Sequence, residues 1–160
     1  MAVSLKCKGK LDNIDDNYTL ALIANVLANV GDKEVNGVIK RLVNNININD
    51  NKAYITSSVR DYYGSRGNGQ TIQTVALTSM ALSKTSNNLS TNKLLINYLI
   101  SKKDARGTWY STQATILSLK ALVEYEGKTT IKEQEIKLKL NKEEKTIKVE
   151  KDNLDIYQEV

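Results

Sequence analysis

The sequence predicts a mainly α fold, an arc of an α/α toroid built from antiparallel helical hairpins, followed by a short antiparallel β meander. Three observations carry this. Helical segments that are apolar on nearly every face alternate with segments that are apolar on one face only. The dense segments share a frame: Ala21-Leu22 with Val26-Leu27, Ala76-Leu77 with Ala81-Leu82, and Ile116-Leu117 with Ala121-Leu122. That is an internal repeat. After Gly127 the apolar period changes from helical to alternating.

Asp16 and Asn17 stand as caps before the dense run from Tyr18 to Val30, and Gly31 stops it, so a helix over 18–30 is expected, buried on most sides. Asp32 caps a second helix in which Val35, Val38, Ile39, Leu42, Val43 and Ile46 fall at helical spacing, with Lys33, Glu34, Lys40 and Arg41 opposite. Its apolar residues form one stripe, so it lies at the surface. The run from Thr71 to Ser83 is again dense, and 90–101 again one-sided through Leu94, Leu95, Tyr98 and Leu99. A third dense helix runs from Ser111 to Tyr125 and ends at Gly127.

Dense helices alternating with one-sided ones suit two concentric layers, since an inner helix touches neighbours all round and an outer helix touches only the inner layer. The inner layer is then 18–30, 72–83 and 112–125, and the outer layer 33–46 and 91–101. Five helices are too few to close a ring, so the arc has open ends built to meet more protein. An ordinary helical bundle has the same periodicity and stays open at this point.

Between the hairpins, the stretch from Ala53 to Gln70 carries Tyr54, Val59, Tyr62 and Tyr63 before Gly64-Ser-Arg-Gly-Asn-Gly69, a turn-rich run with room for a short hairpin. It is not a phosphate loop, because no Lys-Ser/Thr pair follows and no apolar strand leads in. Beyond Gly127, Ile136–Leu140 and Thr146–Glu150 read as two-faced strands around an Asn141-Lys-Glu-Glu turn, with Leu154–Val160 a third. The expected domains are therefore 1–126, helical, and 127–160, β.

Composition narrows the chemistry. The 160 residues carry a net charge of +5, spread over dispersed Lys rather than gathered into a basic stripe with interleaved aromatics. Such a balance favours solubility and not nucleic-acid binding. There is no His, so imidazole is absent as general base, triad member or metal ligand. Cys7 is the single cysteine and forms neither an internal disulfide nor a paired-Cys metal motif. Ala2–Leu5 is too short for the apolar core of a secretory leader, and no apolar run approaches a membrane span. No catalytic, cofactor-binding or metal-binding residue is expected, and no small-molecule substrate.

The segment Gly107-Thr-Trp-Tyr-Ser-Thr-Gln-Ala-Thr-Ile-Leu-Ser-Leu-Lys-Ala-Leu-Val-Glu-Tyr125 resembles the signature near the end of the thioester domain in the α-2-macroglobulin and complement family. Tyr18-Thr-Leu-Ala-Leu with Gly31-Asp32, and Asp61-Tyr-Tyr-Gly with Ile72-Gln-Thr-Val-Ala-Leu77, resemble earlier hairpins of the bacterial branch in the right order. Within the signature, Trp109, Tyr110, Ser111, Thr112 and Gln113 are structural candidates. Ser111 suits a helix N-cap, Trp109 packs across the hairpin before it, and Gln113 lies in the first turn.

The resemblance implies a C-terminal portion of a thioester-type toroid running into a CUB-type β-domain. It also implies a role as non-catalytic scaffold in a protease trap, an endopeptidase inhibitor that is periplasmic, cell-surface or secreted. The implied partners are the remaining domains of the parent protein and, through it, a target protease. The family's reactive Cys-Gly-Glu-Gln is absent, since Cys7 stands in Lys6-Cys-Lys-Gly-Lys10 and is read as an ordinary cysteine. Two other readings stand beside this one. One is a surface adhesin or complement-like recognition module. The other is a toroid enzyme such as a terpene cyclase or prenyltransferase, which needs Asp-rich or zinc motifs where this chain has only Asp12–Asp16, a helix start. Asn17-Tyr-Thr19 and Asn88-Leu-Ser90 match glycosylation acceptors.

Overall fold

A computed structural model describes residues 11, 13–58, 67–85, 88–127, 134–140 and 143–149. The chain divides into two compact units, Met1–Lys128 and Thr129–Val160. Among the described residues the first unit holds five helices: α1 (Asn17–Asn29), α2 (Val35–Asn44), α3 (Asn68–Thr85), α4 (Leu89–Ser101) and α5 (Thr112–Glu126). A small hairpin, β1 (Asn47–Asn49) and β2 (Lys52–Tyr54), separates α2 from α3. The second unit contributes an antiparallel pair, β3 (Gln134–Leu140) and β4 (Glu143–Val149), in a register that sets Ile136 opposite Ile147. The fold is mainly α, an arc of hairpins followed by antiparallel β structure.

The helix ends follow from local chemistry. The Asp16 carboxylate accepts from the Thr19 N–H at 2.8 Å, satisfying a first-turn donor of α1. At the other end Gly31 (φ +67) donates to Ala28 and Asp32 to Leu27, a left-handed cap that only a residue without Cβ adopts freely. Asp32 does not cap α2 directly: it accepts from the Glu34 N–H, and α2 begins one residue later. Helix α3 starts at Asn68, three residues before the expected Thr71, because Gly67 (φ +65) turns the chain and its carbonyl takes the Thr71 N–H.

Helices α1, α3 and α5 lie side by side and run the same way. Near their beginnings, Ser57 donates to Asp16 and accepts from Gln70, while Tyr110, just ahead of α5, lies against Gly69. Near their ends, buried Asn25 of α1 donates to the Leu77 carbonyl of α3 at 2.8 Å and accepts from Lys84 at 3.0 Å. Lys84 reaches Glu124 of α5 at 3.9 Å. Helix α2 packs on α1, and α4 packs on α3.

Only α3 is buried round most of its circumference, with 14 of its 18 residues inside. The expectation that 18–30 and 112–125 would be equally buried is corrected. Leu22 and Val26 of α1 and Val30 at its C-cap are 41% to 71% exposed, and Ile116, Leu119 and Val123 of α5 are 48% to 70% exposed. The shared frame supplies the reason. Leu77 and Ala81 of α3 stand where Leu22 and Val26 stand on α1, and Ala76 stands where Ile116 stands on α5. All three α3 residues are buried. Helix α3 has an inner-layer neighbour on each side, whereas α1 and α5 each have one and leave the other flank open.

The α3–α5 contact is close because α5 presents Ala114, Ser118 and Ala121 as its buried residues. The Ser118 hydroxyl is fully buried without a hydrogen-bond partner, so its presence costs desolvation that no bond offsets. Ser118→Ala is therefore expected to leave stability unchanged or raise it by about 1 kcal/mol, whereas Ser118→Leu overpacks the seam and lowers it by about 1–3 kcal/mol. Urea titration of both variants checks this, and a clear loss in the Ala variant would refute the assignment.

The connector holds a hairpin earlier than expected. Asn49 pairs with Lys52 across a two-residue turn in which Asp50 takes φ +50. Tyr54 of β2 stacks on Tyr98 of α4 at 5.6 Å between ring centroids, and the Lys102 ammonium sits 5.4 Å from the Tyr98 ring. Burial first, and Tyr54 second, hold the Tyr98 hydroxyl above its ordinary pKa range. The predicted hairpin around Gly64–Gly69 falls largely on residues outside the described ones, as do Cys7 and the predicted third strand at 154–160.

Candidate functional site at the Trp109–Gln113 junction

The signature residues lie where the chain passes from α4 into α5. Trp109 is 1% exposed, and its indole N–H donates to the Leu99 carbonyl at 2.7 Å. That carbonyl belongs to the last turn of α4, where a helix leaves its final carbonyls without the usual intrahelical donor. Ser111 is the N-cap of α5, its hydroxyl accepting from the Ala114 N–H at 3.2 Å. Thr112 is exposed and Gln113 half-buried, both in the first turn of α5. Trp109 and Ser111 thus hold the two sides of the hairpin junction, Thr112 and Gln113 follow in the first turn of α5, and Tyr110 stands out.

Tyr110 takes φ +40 at the centre of a tight turn closed by the Ser111 N–H on the Trp109 carbonyl. A bulky residue in that region costs on the order of 1–3 kcal/mol and persists only where its surroundings demand it. Here the demand is clear. Trp109 must point into the core, Ser111 must cap α5, and one residue joins them. The Tyr110 ring is 77% exposed, and its Cδ1 lies 3.0 Å from where a Cβ on Gly69 would stand. Gly69 at the start of α3 leaves room for this ring.

Two supports were not anticipated. The Thr115 hydroxyl accepts from the Trp109 N–H at 3.0 Å and donates to the Ser111 carbonyl at 2.9 Å, tying the turn to the first turn of α5. Asp104 organises the loop before Trp109: its carboxylate accepts from the N–H groups of Arg106 and Thr108, both at 2.9 Å, and from the Thr108 hydroxyl at 2.7 Å. Gly107 (φ +81) completes that loop. The acceptor set after an Asp, with Gly three residues on, is the sequence signal that marks such a turn.

The hydrogen bonds from Thr108, backbone first and hydroxyl second, hold the Asp104 carboxyl below its ordinary range. Its folded pKa is lower than its unfolded value of about 3.9. Its contribution to stability is therefore fully present above that value and lost as pH falls through the folded one. NMR titration is expected to give an Asp104 midpoint below that of a free Asp, and Thr108→Ala, which removes the hydroxyl bond and keeps the backbone one, should raise it part of the way. A midpoint unchanged by Thr108→Ala would disprove this loop assignment.

Among the described residues no three His, Cys, Asp or Glu side chains converge as a metal site, and no helix is long and apolar enough to cross a membrane. The sequence model of the family described as A-macroglobulin TED domain matches residues 3–125. The chain belongs to that family. The match takes in all five described helices, the last but for its final residue, and the thioester-domain junction just described lies inside it. A comparison with curated proteins found no match. The helical arc is thus an α-2-macroglobulin- or complement-like module, and Trp109, Tyr110, Ser111, Thr112 and Gln113 occupy the junction between its α4 and α5.

Proposed function

We propose that this chain is a non-catalytic scaffold of an α-2-macroglobulin-like protease trap, in which the arc forms part of the thioester-domain toroid of an extracytoplasmic, bacterial-type parent protein. The observation that carries the reading is the open flank at each end of the inner layer. Residues of the shared frame that are buried on α3 are exposed on α1 and α5. Contiguous apolar stripes of this kind mark surfaces that meet other protein, and the remaining helices of the toroid are the partners that fit an arc. The division of the chain at Lys128 and Thr129, followed by an antiparallel pair, supports reading 127–160 as the start of the CUB-type β-domain.

In this reading the chain contributes geometry and no bond-making. Covalent capture of a protease needs an activated acyl group, and a thioester needs a Gln side chain acylating a nearby Cys. Cys7 has no Glu-Gln after it. The chain incubated with a trypsin-like protease, or with methylamine, should show no covalent protease complex and no amine adduct in intact mass, while iodoacetamide labels Cys7. An amine adduct on the native chain, or a protease complex that survives denaturant, would overturn the scaffold reading.

A further inference from the structure

The inner-layer helices meet through a seam that repeats, and the arc leaves one half of that seam bare at each end. Asn25 marks the forward side of α1: its Nδ2 donates to the Leu77 carbonyl on the rear side of α3, and its Oδ1 accepts from Lys84 further along the same helix. In the shared frame the forward side is Ala21 with Asn25 on α1, Ala76 with Met80 on α3, and Ile116 with Lys120 on α5. The first two pairs are buried and the third is exposed. The rear side is Leu22 with Val26, Leu77 with Ala81, and Leu117 with Ala121. There the first pair is exposed, the second is buried, and in the third Ala121 is buried and Leu117 half-buried. The arc therefore bares a forward half on α5 and a rear half on α1, which are the two unlike sides of one joint.

We propose that the chain self-associates head to tail, the forward face of α5 in one copy seated on the rear face of α1 in a second copy. This pairing rests on the scaffold reading in one respect, that the bare halves are seams of the inner layer. It goes beyond that reading by naming what fills them where the rest of the toroid is not in place. Helices of the parent protein that are linked to the arc fill the same seams from within one chain, and their effective concentration favours them over a free copy.

The two bare halves fit each other in shape and in polarity. Between copies, Ile116 meets Leu22 and Val26, larger aliphatics than the Ala21, Ala76 and Ala81 of the internal seams, so more apolar surface leaves water per residue. Lys120 stands where Asn25 stands on α1, and Asn29 stands where Lys84 stands on α3. Both side chains are exposed in a single copy. The internal tie has an amide on the forward helix and an ammonium on the rear one. Between copies the roles are exchanged: the Lys120 ammonium donates to the Asn29 Oδ1 and to the Leu22 carbonyl, so its charge keeps acceptors as the joint closes. A two-fold pairing of α5 with α5 would instead bring two Lys120 ammonium groups onto one joint and leave both α1 faces bare. The contact is for this reason heterologous.

Sedimentation velocity on the 160-residue chain at about 1–500 μM tests the pairing. The weight-average mass of the wild type should climb with concentration above that of one copy. Val26→Asp and Ile116→Asp each put a carboxylate into the apolar joint and should raise the dissociation constant by about 100-fold or more. Both positions are exposed, so circular dichroism should stay unchanged. Each variant keeps the half that the other has lost, so an equimolar mixture should associate again and stop at one copy of each. Lys120→Ala, on an exposed helix position, should weaken association by about 10-fold. A wild type that stays single throughout, a Val26→Asp chain that associates as the wild type does, or a mixture that stays apart would each overturn the pairing. None of these outcomes touches the scaffold reading, whose own failure shows as an amine adduct or a covalent protease complex.

Discussion

Trp109→Ala is expected to lower the unfolding free energy by about 3–5 kcal/mol, the range for removing a large aromatic from a packed core. The indole is 1% exposed, so the whole ring is traded for a cavity, and the backbone around it has little freedom to collapse. The turn at Tyr110 is already strained, and Ser111 is held by its capping bond to Ala114. A second component is the bond from the indole N–H to Leu99, which leaves a carbonyl at the end of α4 with one partner fewer. Trp109→Phe separates the two components, since it keeps most of the ring volume and loses the donor. About 1–2 kcal/mol is expected for it. Far-ultraviolet circular dichroism in urea reports both variants, which lack the only indole fluorophore. A loss below about 1 kcal/mol for Trp109→Ala would mean that the junction is held by its backbone bonds and not by this ring.

Much of this arc was legible in the sequence because its signals are local. Asp16 and Ser111 precede dense apolar runs and cap them. Gly31 follows such a run and turns left-handed after it. Trp109 is a lone large aromatic next to a cap, and it is buried with its N–H bonded. What resisted reading depends on distance along the chain. Apolar density on α1 and α5 says that those helices are to be covered, but it does not say by what: open ends were expected from the helix count, and which residues face them became plain only with α3 between the two. The β1–β2 hairpin rests on three-residue strands with no alternation to detect, and Asp50-Asn51 was its one signal. Thr115 is an ordinary helix residue by propensity, and its role at Trp109 exists only once the turn at Tyr110 folds the chain back.

The same limit hides Asn92, which polarity alone would place on the surface of the one-sided helix α4. It is fully buried between α3 and α4, accepting from the Ser79 hydroxyl at 2.6 Å and donating to Ser83 at 2.9 Å. Ser79 and Ser83 are one helical turn apart on α3, so a single amide with one acceptor end and one donor end spans both. Asn92→Ala is expected to cost about 2–4 kcal/mol, because it opens a cavity and strips partners from two buried hydroxyls. The hydroxyls can recover part of this by turning to carbonyls one turn back on α3, as Thr74 and Thr78 do with Gln70 and Thr74. Removing all three polar groups together leaves nothing unpaired. The triple variant Ser79→Ala, Ser83→Ala, Asn92→Ala should therefore lose less than the sum of its single changes, by about 1 kcal/mol or more in a mutant cycle. Strict additivity, or a loss under about 0.5 kcal/mol for Asn92→Ala alone, would show that the amide fills space without coupling the two helices.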